Sequence, residues 1–165
     1  MIVVLMGVSG SGKTTIGQML AARLECDFAD ADDFHSAANQ QKMHAGIALT
    51  DADRQPWLEA IRAAIDQAIA DGRRCVLGCS ALKRSYRDFL RASQRPVTLV
   101  YLACSEPVLR ERLAKRRGHF FPPSLLDSQI QTLEEPGADE ALIVDADPAP
   151  EKVVAAILSA LAKLR

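Results

Sequence analysis

Residues 2–15, Ile-Val-Val-Leu-Met-Gly-Val-Ser-Gly-Ser-Gly-Lys-Thr-Thr, constrain this chain more than any other stretch. Five apolar residues, Ile2 to Met6, predict a strand buried on both faces, as strands of parallel sheets are. Gly7-Val8-Ser9-Gly10-Ser11-Gly12-Lys13-Thr14 then fits G-x-x-x-x-G-K-[ST], a loop that cradles phosphates. That chemistry needs these residue types in this order. The glycines permit backbone conformations and close approaches that a Cβ would block, so successive N–H groups can turn inward onto phosphate oxygens. The loop opens onto the N-terminus of a helix predicted from Thr14 to Leu24, with Ile16, Met19, Leu20 and Leu24 at core spacing. Lys13 is placed to reach the β- and γ-phosphates, and the Thr14 hydroxyl to ligate Mg²⁺. A strand before and a helix after separate this motif from a chance glycine-rich turn. The chain is expected to bind a nucleoside triphosphate.

Strand-like and helix-like patterns alternate through the rest of the chain, the signature of an α/β protein with a parallel sheet. Strands are predicted at 26–30, 75–79, 97–102 and 141–144. Helices are predicted at 36–45 (ended by Gly46), 82–91 and 124–133, and from Ser105 with Val108, Leu109 and Leu113 inward. Asp53 is expected to cap a further helix, with Pro56 in its first turn, Leu58, Ile61, Ile65 and Ile69 inward, and Gly72 at its end. After Pro148 and Pro150 comes an amphipathic helix burying Val153, Val154, Ile157, Leu158, Leu161 and Leu164. No repeat or linker divides these elements, so residues 1–165 are expected to form a single domain.

A net charge of −1 gives no electrostatic reason to expect nucleic acid or a membrane surface as partner. No stretch has the length of a membrane span, and Met1 leads straight into the first strand without a basic segment. A cytoplasmic location is expected. Cys26, Cys75, Cys79 and Cys104 lack zinc-site spacing and read as reduced, buried thiols.

Two further constellations bear on the reaction. Asp30-Ala31-Asp32-Asp33-Phe34-His35 follows the second strand directly, and in open parallel sheets ligands sit beyond the carboxyl ends of the strands. If the extended conformation persists, alternation aims Asp30 and Asp32 the same way. One carboxylate could then hold the hydration shell of Mg²⁺ while the other orients an acceptor hydroxyl. A solvated acidic turn capping the helix at 36–45 is the plainer alternative. His35, Lys42 and Arg54 could serve an anionic, hydroxyl-rich acceptor. Arg54 is the foremost of these, since a basic residue in a helix's first turn opposes the dipole; His44 is read as surface. The second constellation is Arg110, Arg112, Lys115, Arg116 and Arg117, running into Gly118-His119-Phe120-Phe121-Pro122-Pro123. Arg112 and Arg116, four apart, are expected on one helix face. A basic run entering a glycine-hinged aromatic loop suits a mobile cover that brings arginines onto phosphates and excludes water.

With these landmarks the sequence resembles the gluconokinases, relatives of shikimate kinase within the nucleoside-monophosphate-kinase-like P-loop fold. The resemblance runs through MGVSGSGKTT (6–15), DADDFH (30–35), Asn39, KM (42–43), Leu49 and DADRQPWL (51–58). It continues through CSALKRSYRD (79–88), RGHFFPPSLLDSQ (117–129), TLEEPGADE (132–140) and DADP (145–148). The chain departs from the family pattern at Ser36, where Pro is usual, and at Thr50, where Asn is usual.

The resemblance implies a three-layer P-loop NTPase fold with a five-stranded parallel sheet and a helical lid at about 112–128. It implies ATP- and Mg²⁺-dependent phosphorylation of D-gluconate at its 6-hydroxyl. Gly7, Val8, Ser9, Gly10, Ser11, Gly12, Lys13, Thr14 and Thr15 would hold the phosphates and the metal, with Asp30 beside the metal. Asp32 would bind or deprotonate the acceptor hydroxyl, and His35, Arg54, Lys83 and His119 would contact gluconate. Arg112 and Arg116 would be lid arginines on ATP, and Asp147 and Pro148 would lie beside adenine. Lys13, Asp32 and Arg116 form the implied catalytic group. Relatives are often homodimers, and the sequence identifies no interface. A kinase for another small anionic polyol such as shikimate, or an ATP-binding regulatory protein without transfer activity, are the alternatives.

Overall fold

The computed structural model describes residues 1–92, 97–116 and 122–164. All five residues of β1 (Ile2–Met6) are buried, because β1 is the middle strand of a five-stranded parallel sheet of order β2-β3-β1-β4-β5. Its neighbours are β3 (Cys75–Gly78) and β4 (Val97–Ala103), in registers that set Val3 beside Val76 and Thr98. β2 (Asp27–Asp30) and β5 (Leu142–Asp145) form the two edges.

The period-two alternation of β1 divides the core. Ile2, Val4 and Met6 face α3 (Asp51–Ala70) and α4 (Arg84–Arg91), joining Trp57, Leu58, Ile61, Ile65 and Leu90. Val3 and Leu5 face α1 (Lys13–Leu24) and α7 (Pro150–Ala162), joining Ile16, Leu20, Val153, Val154 and Ile157. Helices therefore cover both faces, as an all-parallel sheet requires. A smaller cluster of Val8, Leu82, Leu109 and Leu126 lies under the phosphate loop and joins it to α5 (Glu106–Lys115) and α6 (Pro123–Thr132).

Several boundaries differ from expectation for identifiable reasons. α3 is capped by Thr50 rather than Asp53. The Thr50 side chain accepts from the Asp53 N–H while the Asp53 carboxylate accepts from the Thr50 N–H, a reciprocal capping box. Pro56 consequently falls in the second turn, where its ring forfeits one helical bond. α2 (Ala37–His44) is capped by Ser36, whose Oγ accepts from the Asn39 N–H at 3.2 Å. The two departures from the family pattern thus both sit at helix N-caps. The last helix ends at Ala162, which leaves Leu164 exposed rather than in the core. The four cysteines are free, yet only Cys79 is fully buried; the others are half-buried. No helix among the described residues is long and apolar enough to cross a membrane.

Candidate active site

The phosphate loop and the acidic turn follow the carboxyl ends of β1 and β2 directly, where ligands sit in open parallel sheets. A cleft of about 460 Å³ opens there. The phosphate loop forms one wall. Gly7, Gly10 and Gly12 all have positive φ, and Gly12, in the left-handed region at φ 95°, serves as N-cap of α1. The first backbone bond of that helix runs from the Ile16 N–H to the Gly12 carbonyl, so the N–H groups of Lys13, Thr14 and Thr15 have no carbonyl inside the helix to meet. Such a helix start is an anion site.

Three of the loop's polar groups are engaged by the protein itself. The Lys13 ammonium donates to the carbonyls of Gly7 (2.9 Å) and Val8 (3.1 Å). Burial holds its pKa below the usual lysine value, against the opposing pull of Asp32 and Asp30. Cys79 is buried close by, and burial pushes its thiol up to about 12, so it stays protonated. The Thr14 hydroxyl donates to Asp30 Oδ2 at 2.9 Å. The Ser9 N–H donates to Gln129 Oε1 of α6 at 2.7 Å. Ser11 is fully buried, and its Oγ has no partner among the described residues.

The second wall is the segment after β2, which meets the phosphate loop at the Thr14–Asp30 bond. The extended conformation does not persist past Asp30: residues Ala31–Phe34 form a 3-10 turn, and Asp30 caps it by accepting from the Asp32 N–H at 3.1 Å. Strand alternation therefore does not aim Asp30 and Asp32. The turn does, and both carboxylates line the cleft near Lys13. Asp32 opens to the cleft, but the protein surrounding it pushes its pKa up, Lys13 pulls it down, and Asp30 and Asp33 add to the rise.

His35 ends this turn. Its ring lies parallel to that of Trp57, with centroids 4.6 Å apart and planes inclined by 7°. Burial, with Arg54 adding repulsion, lowers its pKa to about 4, so the imidazole is neutral at physiological pH. Arg54, one helical turn before Trp57 on α3, also lines the cleft, its guanidinium 5.9 Å from the centre of the Tyr86 ring.

Other predicted residues fall elsewhere. Lys83 does not line the cleft; its ammonium donates to both oxygens of Asp51 at 2.9 Å, and Tyr86 donates to the same carboxylate. Lys42 is drawn off by Asp53 at 2.8 Å. Arg112 and Arg116 do not share a helix face, because α5 stops at Lys115 and Arg116 is extended, with φ −68° and ψ 114°. Arg116 lines the cleft. Arg112 instead donates to the carbonyls of Ala146 (2.8 Å) and Asp147 (3.1 Å), in the loop expected beside adenine. In that loop Asp147 accepts from the Ser105 N–H at 2.8 Å, which holds its carboxyl below the usual range, and Pro148 follows half-buried. His119 lies outside the described residues.

Sequence reasoning gave no role to Ser80, Ser128, Gln129, Met43, Ile47 or His44, all of which line the cleft; His44 was expected on the surface. Ser80 follows β3 directly, so the carboxyl-end rule could have found it. Gln129 and Trp57 stand within stretches shared with the gluconokinases, but their contacts span 120 and 26 residues and leave no local signal.

The family model described as an AAA domain matches residues 2–136. A gluconokinase of Gluconobacter oxydans is 47% identical over 152 residues, covering 92% of this chain and 85% of its own. The crystal structure of a gluconokinase from Sinorhizobium meliloti 1021 superposes with a TM-score of 0.86 at 45% identity, covering 98% of this chain and 91% of that one. Shikimate kinase from Aquifex aeolicus shares the fold at a TM-score of 0.63, covering 99% of this chain and 97% of its own, but only 19% of residues are identical. Within the wider AAA-domain family of P-loop proteins, this chain belongs to the gluconokinases.

Proposed function

We propose that this protein transfers the γ-phosphoryl group of ATP to the 6-hydroxyl of D-gluconate, giving 6-phosphogluconate and ADP. One observation carries the reading. The phosphate-loop residues Ser9 and Lys13 line a single cleft together with Asp32, His35, Arg54 and Arg116. Relatives named gluconokinases at 42–47% identity over most of the chain support the choice of acceptor.

Thr14 and Asp30 would hold Mg²⁺. One hydroxyl and one carboxylate are too few ligands for an ion bound by protein alone, and the described residues contain no cluster of three metal-binding side chains. The pair suits an ion that arrives on nucleotide phosphates and keeps several waters. Bound there, Mg²⁺ supplies charge neutralisation at the β- and γ-phosphate oxygens.

The chain's own groups do the rest. Residues 7–15 offer N–H groups to the phosphates, and Lys13 and Arg116 offset charge on the transferring group. Phosphoryl transfer through a loose transition state needs a base only late, so Asp32 acts chiefly by aligning the hydroxyl, and its raised pKa suits the proton it finally accepts. Arg54 recognises the sugar-acid carboxylate through paired N–H donors. His35, being neutral, meets hydroxyl groups rather than charge. Arg112 braces the 145–148 loop against the adenine, and residues 112–128 act as the lid that excludes competing water.

The test is ADP release from ATP and Mg²⁺ in a coupled assay with D-gluconate, shikimate, other sugar acids or no acceptor. Turnover with gluconate, and little with the rest, is expected. Preferred turnover of another acid would reassign His35 and Arg54. ATP binding without turnover on any acceptor would replace the kinase reading with a regulatory one.

A further inference from the structure

Trp57 is the only tryptophan in the chain and lines the cleft. It is 3% exposed, on the inner face of α3. Its indole makes two contacts of different kinds. The Nε1–H donates to the Ala31 carbonyl at 2.7 Å, and the ring face stacks on His35.

Each contact reaches a different functional group. Ala31, fully buried, opens the 3-10 turn, and Asp32 is the next residue. The turn is therefore tied at its start by the Asp30 carboxylate and from behind by Trp57. His35 closes the same turn through its own N–H to the Asp32 carbonyl at 3.2 Å. Its Nδ1 is buried with no partner among the described residues, so no hydrogen bond fixes the ring there and the parallel indole sets its plane. An orphan acceptor is more tolerable in a protein interior than an orphan N–H, which puts the proton on Nε2.

We propose that Trp57 is a positioning residue with two separable actions. Its N–H sets the Asp32 carboxylate through the Ala31 carbonyl, and its ring face sets the His35 imidazole that meets the acceptor. The proposal rests on the gluconokinase reading for its acceptor and on the geometry alone for its mechanics. The N–H acts on the alignment of the reacting hydroxyl and so governs kcat. The face acts on acceptor binding and so governs KM. Neither contact is made with a residue of the phosphate loop, so nucleotide affinity is expected to hold.

Because the tryptophan is unique, growth of a tryptophan auxotroph on β-(benzothienyl)alanine replaces Trp57 alone, exchanging N–H for sulfur while keeping an aromatic face of nearly the same size. Steady-state kinetics of this protein should show kcat lowered about tenfold, the gluconate KM within twofold of wild type, and the ATP KM unchanged. Trp57→Leu, which removes both contacts, should show a similar kcat loss together with a gluconate KM raised at least fivefold. A benzothienyl protein with kcat within twofold of wild type overturns the first action, and W57L with an unchanged gluconate KM overturns the second. A role confined to fold stability would lower the thermal midpoint without splitting kcat from KM. Amide exchange across residues 31–35, measured without acceptor on the same proteins, separates this proposal from the choice of substrate. It should accelerate at least tenfold in the benzothienyl protein, and unchanged exchange overturns the first action whichever acid is phosphorylated. Wild-type protein inactive on gluconate would instead overturn the functional reading and leave the exchange result to decide on Trp57.

Discussion

The two walls of the cleft are held by different means. On the nucleotide wall the backbone does the work, and several of its polar groups, though not the Ser11 hydroxyl among the described residues, are already paired: Lys13 to two loop carbonyls, Ser9 N–H to Gln129, Thr14 to Asp30. ATP must exchange these bonds for its own, so its net gain lies in geometry more than in bond count. On the acceptor wall, side chains support side chains: a stacked Trp57–His35 pair, Arg54 beside Tyr86, and an unpartnered His35 Nδ1 among the described residues. On the proposed function, the first wall grips the triphosphate and the second discriminates among acceptors.

The sharpest way to break this division is to remove one charged group from each wall. Lys13→Ala takes a cation from the site of developing charge, and kcat should fall about 10²–10³-fold with nucleotide affinity weakened as well. Asp32→Asn misplaces the acceptor hydroxyl, and kcat should fall about 10²-fold while nucleotide affinity stays at the wild-type level. Coupled ADP release gives the rates, and titration with a non-hydrolysable nucleotide gives the affinities. If D32N weakens the nucleotide as much as K13A does, the walls are not independent.

The division also follows what could be read from the sequence. The fold class and the phosphate loop itself follow from local signals: an apolar strand, three glycines, a lysine and a threonine in fixed order. Asp32 and Arg54 both line the cleft, although for Asp32 the expected reason failed. Extended alternation was to aim it, whereas Asp30 ends the strand by capping a turn. The pairing of Arg112 with Arg116 failed because no residue between them signals that α5 stops at Lys115. Lys83 is held by Asp51, 32 residues away in sequence, a partner that no local pattern announces. Local chemistry is legible; the partner a side chain finds across the fold is not.

A smaller effect distinguishes the walls by pH. Unfolded, His35 titrates near 6.5; folded, burial and Arg54 hold it at about 4. Between these values the unfolded chain binds the extra proton, so stability rises with pH across that window and is lost as pH falls through it. Asp53, held at about 2 mainly by Lys42, contributes its own loss at lower pH. Urea denaturation at pH 4.5 and 6.5 should therefore show a wild-type slope that His35→Asn flattens. Since only slopes are compared, the packing cost of the substitution cancels. An unchanged slope would mean that the fold does not lower the pKa of the imidazole, which would then carry charge at the acid end of this range.

The smallest expected effect concerns the helix that frames the acceptor wall. Ser36 caps α2 through its hydroxyl, in a place where the gluconokinases usually carry proline, which has no hydroxyl. The backbone explains how both can serve. Ser36 sits at φ −61°, the angle a pyrrolidine ring imposes, and its N–H has no partner among the described residues. His35 before it is extended, at φ −69° and ψ 141°, the conformation that a following proline demands. Ser36→Ala should therefore lose the cap and cost about 1 kcal/mol. Ser36→Pro loses the same cap but restricts the unfolded chain, recovering about 0.4–1 kcal/mol, and should denature in urea close to wild type. Serine stabilises the folded end of the helix and proline destabilises the unfolded one, two routes to the same wall. If S36P proves as weak as S36A, the hydroxyl alone holds this helix, and the usual proline must act through some contact that this chain lacks.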